Sequence, residues 1–257
     1  MKKVFQYLIP ILFLPVLSGC DNIDEDNRYI DLGPVEVGRK VFLEEFTGQR
    51  CTNCPDAHAI IELLEEQYGD NLIVVSVHAG YFGVKYPTGL QQEEGDQYAA
   101  RWGVEVYPSG VVDYKGGVLK MDEWSDIIMK EIGLTTPLEL VLEANVNEEG
   151  DAIDVFTTLG SSSNLSGNLQ LWVVENDIKA YQIYGSQVLY DYVHNNVFRA
   201  CVNGLWGEPV AVTAGELKYV NYSVAINPDW KLENVRIVGF YYNDSGVLQV
   251  ERCKVEE

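Results

Sequence analysis

Residues 50–58 read RCTNCPDAH, two cysteines separated by two residues at the start of a run with helical texture. Such a pair serves as a redox couple, as half of a metal site or as a stapled turn, and the flanking chain distinguishes these uses. On the N-terminal side, residues 40–46 form a strand-like run ending at Thr47-Gly48. On the C-terminal side, residues 55–68 (PDAHAIIELLEEQY) put Ala57, Ile60, Ile61 and Leu64 on one helical face, with Pro55 suited to the first turn and Thr52 or Asn53 able to cap it. Both thiols therefore belong to a helix N-terminus, where unpaired amides, the helix dipole and the neighbouring Arg50 favour a thiolate. This predicts an exposed Cys51 as the attacking sulfur and Cys54, one turn inward, as the resolving one.

Residues 71–78 (NLIVVSVH) then read as a buried strand, and residues 79–92 show no clear period. A short helix and a turn precede Tyr107-Pro108 within EEGDQYAARWGVEVYPSG at 93–110. A hairpin is signalled around Lys115-Gly116-Gly117, and DEWSDIIMKEI at 122–132 has the pattern of a closing amphipathic helix. The order strand, Cys-x-x-Cys helix, strand, helix, X-Pro, hairpin, helix, with ARWGVEVYPS at 100–109, resembles the thioredoxin superfamily over residues 38–133. The resemblance implies that Pro108 is the cis-proline packed beside the redox cysteines. It also implies that Glu45, six residues before Cys51, is the buried acid accepting the proton of the resolving thiol. Burial would raise the Glu45 pKa toward the range useful for proton transfer, whereas a solvent-facing strand Glu would have no such role. Arg50 in place of the usual Trp, the intervening Thr52-Asn53 and the insertion at 79–92 depart from the family pattern, so the direction of any redox activity is not inherited.

Cys54 and His58 share a helix face with Cys51 adjacent, and His78 ends the second strand, so a zinc site has three or four candidate ligands. The absence of a second Cys-x-x-Cys and an oxidising compartment favour sulfur pairing instead, and we expect no metal and no cofactor.

From about residue 135 the texture changes to alternating runs at 138–146, 151–159, 168–175, 216–226, 234–242 and 247–253, separated by turn clusters. This predicts an all-β immunoglobulin-like sandwich. Cys253 falls in the last strand and Cys201 in the irregular segment before it; a bridge between them would stabilise by roughly 4 kcal/mol in the chain-entropy picture, the alternative being two buried free thiols. Tyr181, Tyr184, Tyr190, Tyr192 and Trp206 concentrate in the same segment, as core filling or as a glycan- or protein-binding surface. His194 lies among them without a partner motif. The stretch 192–199 (YVHNNVFR), then GLWGE at 204–208 and VRIVGFYYND at 235–244, is similar to the twenty-eight-kilodalton outer-membrane lipoprotein family of Bacteroidetes-type bacteria. That similarity implies a lipid-anchored outer-membrane protein with a thioredoxin-like half and a β-sandwich half, and it brings no established activity.

The N-terminus supports export. Met1-Lys2-Lys3, a short apolar run and Leu17-Ser18-Gly19-Cys20 read as a lipoprotein signal at residues 1–19 with acylation at Cys20. An acidic tether follows at 20–37, then the thioredoxin-like domain at 38–134 and the β-sandwich at 135–257. A net charge of -21, from 18 basic and 39 acidic residues, excludes nucleic acid as a partner, since phosphate neutralisation needs clustered cations. Two functional readings follow for a protein at the outer membrane, facing the periplasm or the surface. One is thiol-disulfide exchange on cysteine-containing envelope proteins through Cys51, Cys54, Glu45 and Pro108. The other is a non-enzymatic surface lipoprotein binding proteins or glycans, with Cys51-Cys54 as a structural disulfide.

Overall fold

The computed structural model describes residues 37–256, which fall within a single unit. The signal segment, Cys20 and nearly all of the tether lie outside the described residues. In chain order the elements are β1 (Val41–Thr47), α1 (Cys54–Tyr68), β2 (Leu72–His78), α2 (Glu93–Trp102), β3 (Ser109–Val112), β4 (Lys115–Leu119) and α3 (Trp124–Glu131). Ten strands follow: β5 (Leu138–Val146), β6 (Ala152–Ser161), β7 (Leu165–Glu175), β8 (Ile178–Tyr184), β9 (Gln187–His194), β10 (Val197–Cys201), β11 (Glu208–Val212), β12 (Leu217–Ala225), β13 (Val235–Asn243) and β14 (Gly246–Glu256). The fold is thus mixed α/β with three α-helices and a large share of strand among the described residues.

β1 pairs in parallel with β2 and antiparallel with β3, and β3 pairs with β4. Every residue of β1 is buried because both of its faces are covered. Val41 and Leu43 meet Ala57, Ile61 and Leu64 of α1 together with Trp124 and Ile128 of α3. Phe42 and Phe46 face the other way into a cluster with Trp172, Phe198 and Phe240, the Phe42 and Phe240 rings stacking at 4.6 Å between centroids. The pleat alternates side chains between two apolar layers, which is why the run carries no polar alternation.

The sheet does not stop at the boundary expected near residue 134. β10 joins β2 in parallel at Val197 and Ser76, and on its other side pairs antiparallel with β7, which pairs with β13, which pairs with β14. A second layer of β5, β6 and β12 is reached through the parallel pairing of β14 with β5. Leu138, Leu140 and Leu142 of β5 alternate with exposed residues and pack against Leu169, Leu171, Val173 and Ile237 of the first layer. The burial of apolar area across these two layers is the main stabilising term here.

Two expectations are corrected. The segment read as irregular between the regular runs forms four strands, β8 to β11, with β8 and β9 making a separate two-stranded hairpin. Cys201 and Cys253 do not bridge; both thiols are free. The ladder explains it: Cys201 of β10 sits opposite Trp172 of β7, Trp172 opposite Val238 of β13, and Val238 opposite Arg252 of β14, so three strand spacings intervene. At about 4.8 Å per strand the two Cα atoms are held about 14 Å apart, roughly twice what a disulfide can span. Cys201 instead makes a 2.9 Å hydrogen bond with the Tyr98 hydroxyl, and burial pushes its thiol up to about 11 and that of Cys253 to about 12.

A disulfide roofed by a hairpin as the candidate functional site

The chain leaves β1 at Thr47, turns through Gly48 with the Cys51 amide donating to the Gly48 carbonyl at 3.0 Å, and enters α1 at Cys54. Cys51 and Cys54 form a disulfide with Cα atoms 5.4 Å apart. Asn53 occupies the cap position, but neither it nor Thr52 makes the side-chain capping bond expected. The Tyr107–Pro108 peptide is cis. Because Ser109 pairs with Phe46, Pro108 lies beside the end of β1 from which the cysteine turn departs.

The expected exposure of Cys51 is overturned: it is 2% exposed and Cys54 is fully buried. Two segments cover the turn. From the 79–92 insertion, the Phe82 carbonyl accepts from the Arg50 amide at 2.9 Å. From the other side the β8–β9 hairpin docks by backbone bonds, Ile183 N to Gln49 O at 2.8 Å and Gly185 N to Thr52 O at 3.2 Å. Gln182, itself buried, donates through Nε2 to the carbonyls of Cys51 at 2.8 Å and Gly48 at 3.3 Å. Gln49 ties both covers together, its Oε1 accepting from Leu90 N at 2.9 Å and its Nε2 donating to the Tyr181 carbonyl at 3.1 Å. The outer face of the hairpin leaves Tyr184, Val188, Tyr190 and Val193 exposed.

Beneath the turn, Glu45 is buried and neither carboxyl oxygen has a hydrogen-bond partner; the His58 ring lies beside it, with Nε2 at 3.4 Å from Oε1. His58, four residues after Cys54 and hence on the same helix face, is held by Thr47 Oγ1 at 3.0 Å and by the Tyr192 hydroxyl at 2.8 Å. All three histidines of the chain converge here: the ring centroids of His78 and His194 are 5.2 Å apart, and those of His58 and His194 6.3 Å. Burial, followed by the neighbouring rings, holds His78 well below its ordinary pKa, and burial brings His194 to about 4. Backbone groups of Tyr181 and Ala180 lie near His194 and favour its proton weakly, but neither ring nitrogen meets hydrogen-bond geometry. The adjacent Glu44 points to the opposite face, where Trp102 Nε1 donates to it at 3.0 Å, and burial raises its carboxyl to about 8. Among the described residues no group of three or more His, Cys, Asp or Glu side chains is arranged to hold a metal ion.

The structure brings Cys51, Cys54, Glu45 and Pro108 to one end of β1; sequence reading missed Gln49 and Gln182, and it named Tyr192 and His194 without connecting them to the cysteines, because they come from a distant segment. The signal for the hairpin was present: Gly185-Ser186 separates two β-rich runs, a two-residue turn.

A disulfide at a helix start, a cis X-Pro at the same sheet end and a fused β-rich half define a mixed α/β disulfide-bearing protein, with no helix among the described residues long and apolar enough to cross a membrane. The sequence matches the family described as "Outer membrane protein Omp28" over residues 95–257, and the chain belongs to that family. It is accordingly a protein of the cell envelope at the outer membrane. Among solved structures it is similar to HBP35 of Porphyromonas gingivalis, at 17% identity and a TM-score of 0.67 over 85% of this chain and 76% of that one. A protein of Agrobacterium tumefaciens is similar at 13% identity and a TM-score of 0.54, over 86% of this chain and 96% of that one. A domain of the outer membrane lipoprotein Omp28 from Porphyromonas gingivalis shares 23% identity over 47% of this chain and 89% of that domain, with a TM-score of 0.36. No curated protein matches.

Proposed function

We propose that the chain is an outer-membrane protein anchored through acylated Cys20, whose thioredoxin-like residues 38–134 carry out thiol-disulfide exchange on cysteine-containing envelope proteins while the immunoglobulin-like residues 135–257 supply the cover. A substrate thiolate attacks the Cys51 sulfur, the bond to Cys54 breaks, and a mixed disulfide forms. Cys54 leaves as a thiolate and takes up a proton by way of Glu45 and His58. A second substrate thiol then attacks the mixed disulfide, leaving the substrate oxidised and both protein cysteines reduced; the reverse sequence reduces a substrate disulfide.

The observation that carries this reading is the buried Glu45–His58 pair under the cysteine turn, on the face of α1 that Cys54 occupies. A buried acid without a hydrogen bond costs stability, and a turn staple has no use for one. Exchange of a dithiol peptide by the parent and by Cys51→Ser tests it: the variant must be inactive, and equal rates would end the proposal. The second reading, a surface lipoprotein binding proteins or glycans with a structural 51–54 staple, is favoured by the near-complete burial of Cys51. In that case partner capture depends on residues 135–257 and is indifferent to Cys51→Ser.

A further inference from the structure

A second pocket lies on the far side of the insertion. Residues 86–90, the start of β8 at residues 178–180, Arg199 of β10 and residues 229–231 enclose a cavity of about 410 Å³. At its floor Arg199 is only 7% exposed, stacked over the Tyr86 ring at 5.9 Å. Its Nε forms an ion pair with buried Glu175 Oε2 at 3.4 Å, too poorly aligned for a hydrogen bond, so Nε has no hydrogen-bond partner among the described residues. At the mouth Lys179 and Lys231 are exposed, the Lys231 charge also acting on Glu175. The acidic groups facing the cavity are already engaged: Glu175 Oε1 accepts from the Lys231 amide at 2.9 Å, and Asp229 accepts from the Tyr86 hydroxyl.

We propose that this pocket binds a tetrahedral oxyanion, a phosphate or sulfate group carried on a small molecule such as a sugar. Three cations outnumber the two carboxylates that line the cavity, in a chain whose net charge is -21, and a buried guanidinium whose Nε lacks a hydrogen-bond partner is shaped for two oxygens of one anion. A tetrahedral group on the fork keeps oxygens free for the ammonium groups at the mouth, which a planar carboxylate does not. The repulsion of the acidic surface is screened beyond about 8 Å at physiological ionic strength, so the local charges decide. The volume admits a small ligand, being near the lower end of the several-hundred-Å³ range for such sites.

Calorimetric titration of the full chain in zwitterionic buffer at 0.15 M NaCl tests it, with inorganic phosphate, sulfate, glucose 6-phosphate and glucose 6-sulfate as probes. We expect one saturable site, weakened about tenfold or more in Lys179→Ala/Lys231→Ala, as expected for losing charge-assisted bonds. A tighter fit of one ester than the other assigns the ligand to phosphorylated or to sulfated molecules. Because both lysines are exposed, the variant folds; Lys218→Ala, on β12, must leave binding unchanged. Absence of saturation by about 10 mM of every probe, well above the millimolar scale of a weak anion site, overturns the proposal. So does a loss in the Lys218 variant equal to that in the double variant, which would mark a general charge effect.

Discussion

The side-chain amide of Gln182 donates to the carbonyl oxygen of Cys51 at 2.8 Å, across 131 residues of sequence. Together with the backbone bonds from Ile183 and Gly185, it makes the hairpin a lid whose position decides whether the disulfide is reachable. Replacing Gln182 by Ala strips the Cys51 and Gly48 carbonyls of a buried donor, at a cost of about 1–3 kcal/mol. We expect reduced Cys51 in Gln182→Ala to alkylate roughly tenfold faster than in the parent, read by peptide mapping that separates it from Cys201 and Cys253. An unchanged rate would show that the lid is not what shields the sulfur.

Glu45 has the His58 ring beside it and no hydrogen bond of its own among the described residues. If it relays the Cys54 proton, Glu45→Gln slows exchange by about 100-fold, the lower range for general acid-base assistance, and flattens the pH-rate profile. Stability should hold, since Glu45 makes no hydrogen bond that the amide would lose. A merely structural Glu45 would leave both the rate and its pH dependence in place.

The histidine cluster makes the closed state acid-sensitive. His78 and His194 have folded-state pKa values lowered from 6.5, His194 to about 4, so protons bind the unfolded chain better than the folded one. The stability from keeping them neutral is present above about pH 6.5 and is lost as pH falls toward 4. For His194 alone that loss is about 3 kcal/mol when complete. Denaturant titrations at pH 7.5 and 4.5 should show His194→Phe losing less stability on acidification than the parent; parallel losses would contradict the assignment.

Glu44 works in the opposite sense. Burial raises its carboxyl from 4.5 to about 8, against the weaker opposing effects of Trp102 and Arg101, so the folded chain holds a proton that the unfolded chain gives up. Its favourable contribution is complete below about pH 4.5 and disappears as pH rises through 8. Glu44→Gln keeps an acceptor for Trp102, so we expect it to match the parent near pH 4 and to exceed it at pH 8.5, by an amount on the order of 4 kcal/mol at most. Thermal melts at the two pH values provide the measurement.

Much of the fold was legible because local chemistry dictated it. The β5 run at 138–146 alternates apolar and polar residues so regularly that its ends coincide with the strand, and Pro55 and the apolar face of α1 fixed the cysteine helix. The lid was not legible, because Gln182 and Gln49 act through hydrogen bonds between segments whose proximity only the β7–β10 and β10–β2 pairings create. For the same reason Cys51 looked accessible from its helix position, and Cys201 and Cys253 looked like partners from an even cysteine count. His194 carried no motif; its meaning comes from His78 at the end of another strand.

The reduction potential of the 51–54 pair, measured in the folded chain by equilibration with a thiol-disulfide buffer, tests exchange chemistry most directly. We expect a value in the range of envelope and glutaredoxin-type exchange proteins, about -120 to -230 mV, whereas a value below about -300 mV would identify an inert staple and contradict the proposed activity.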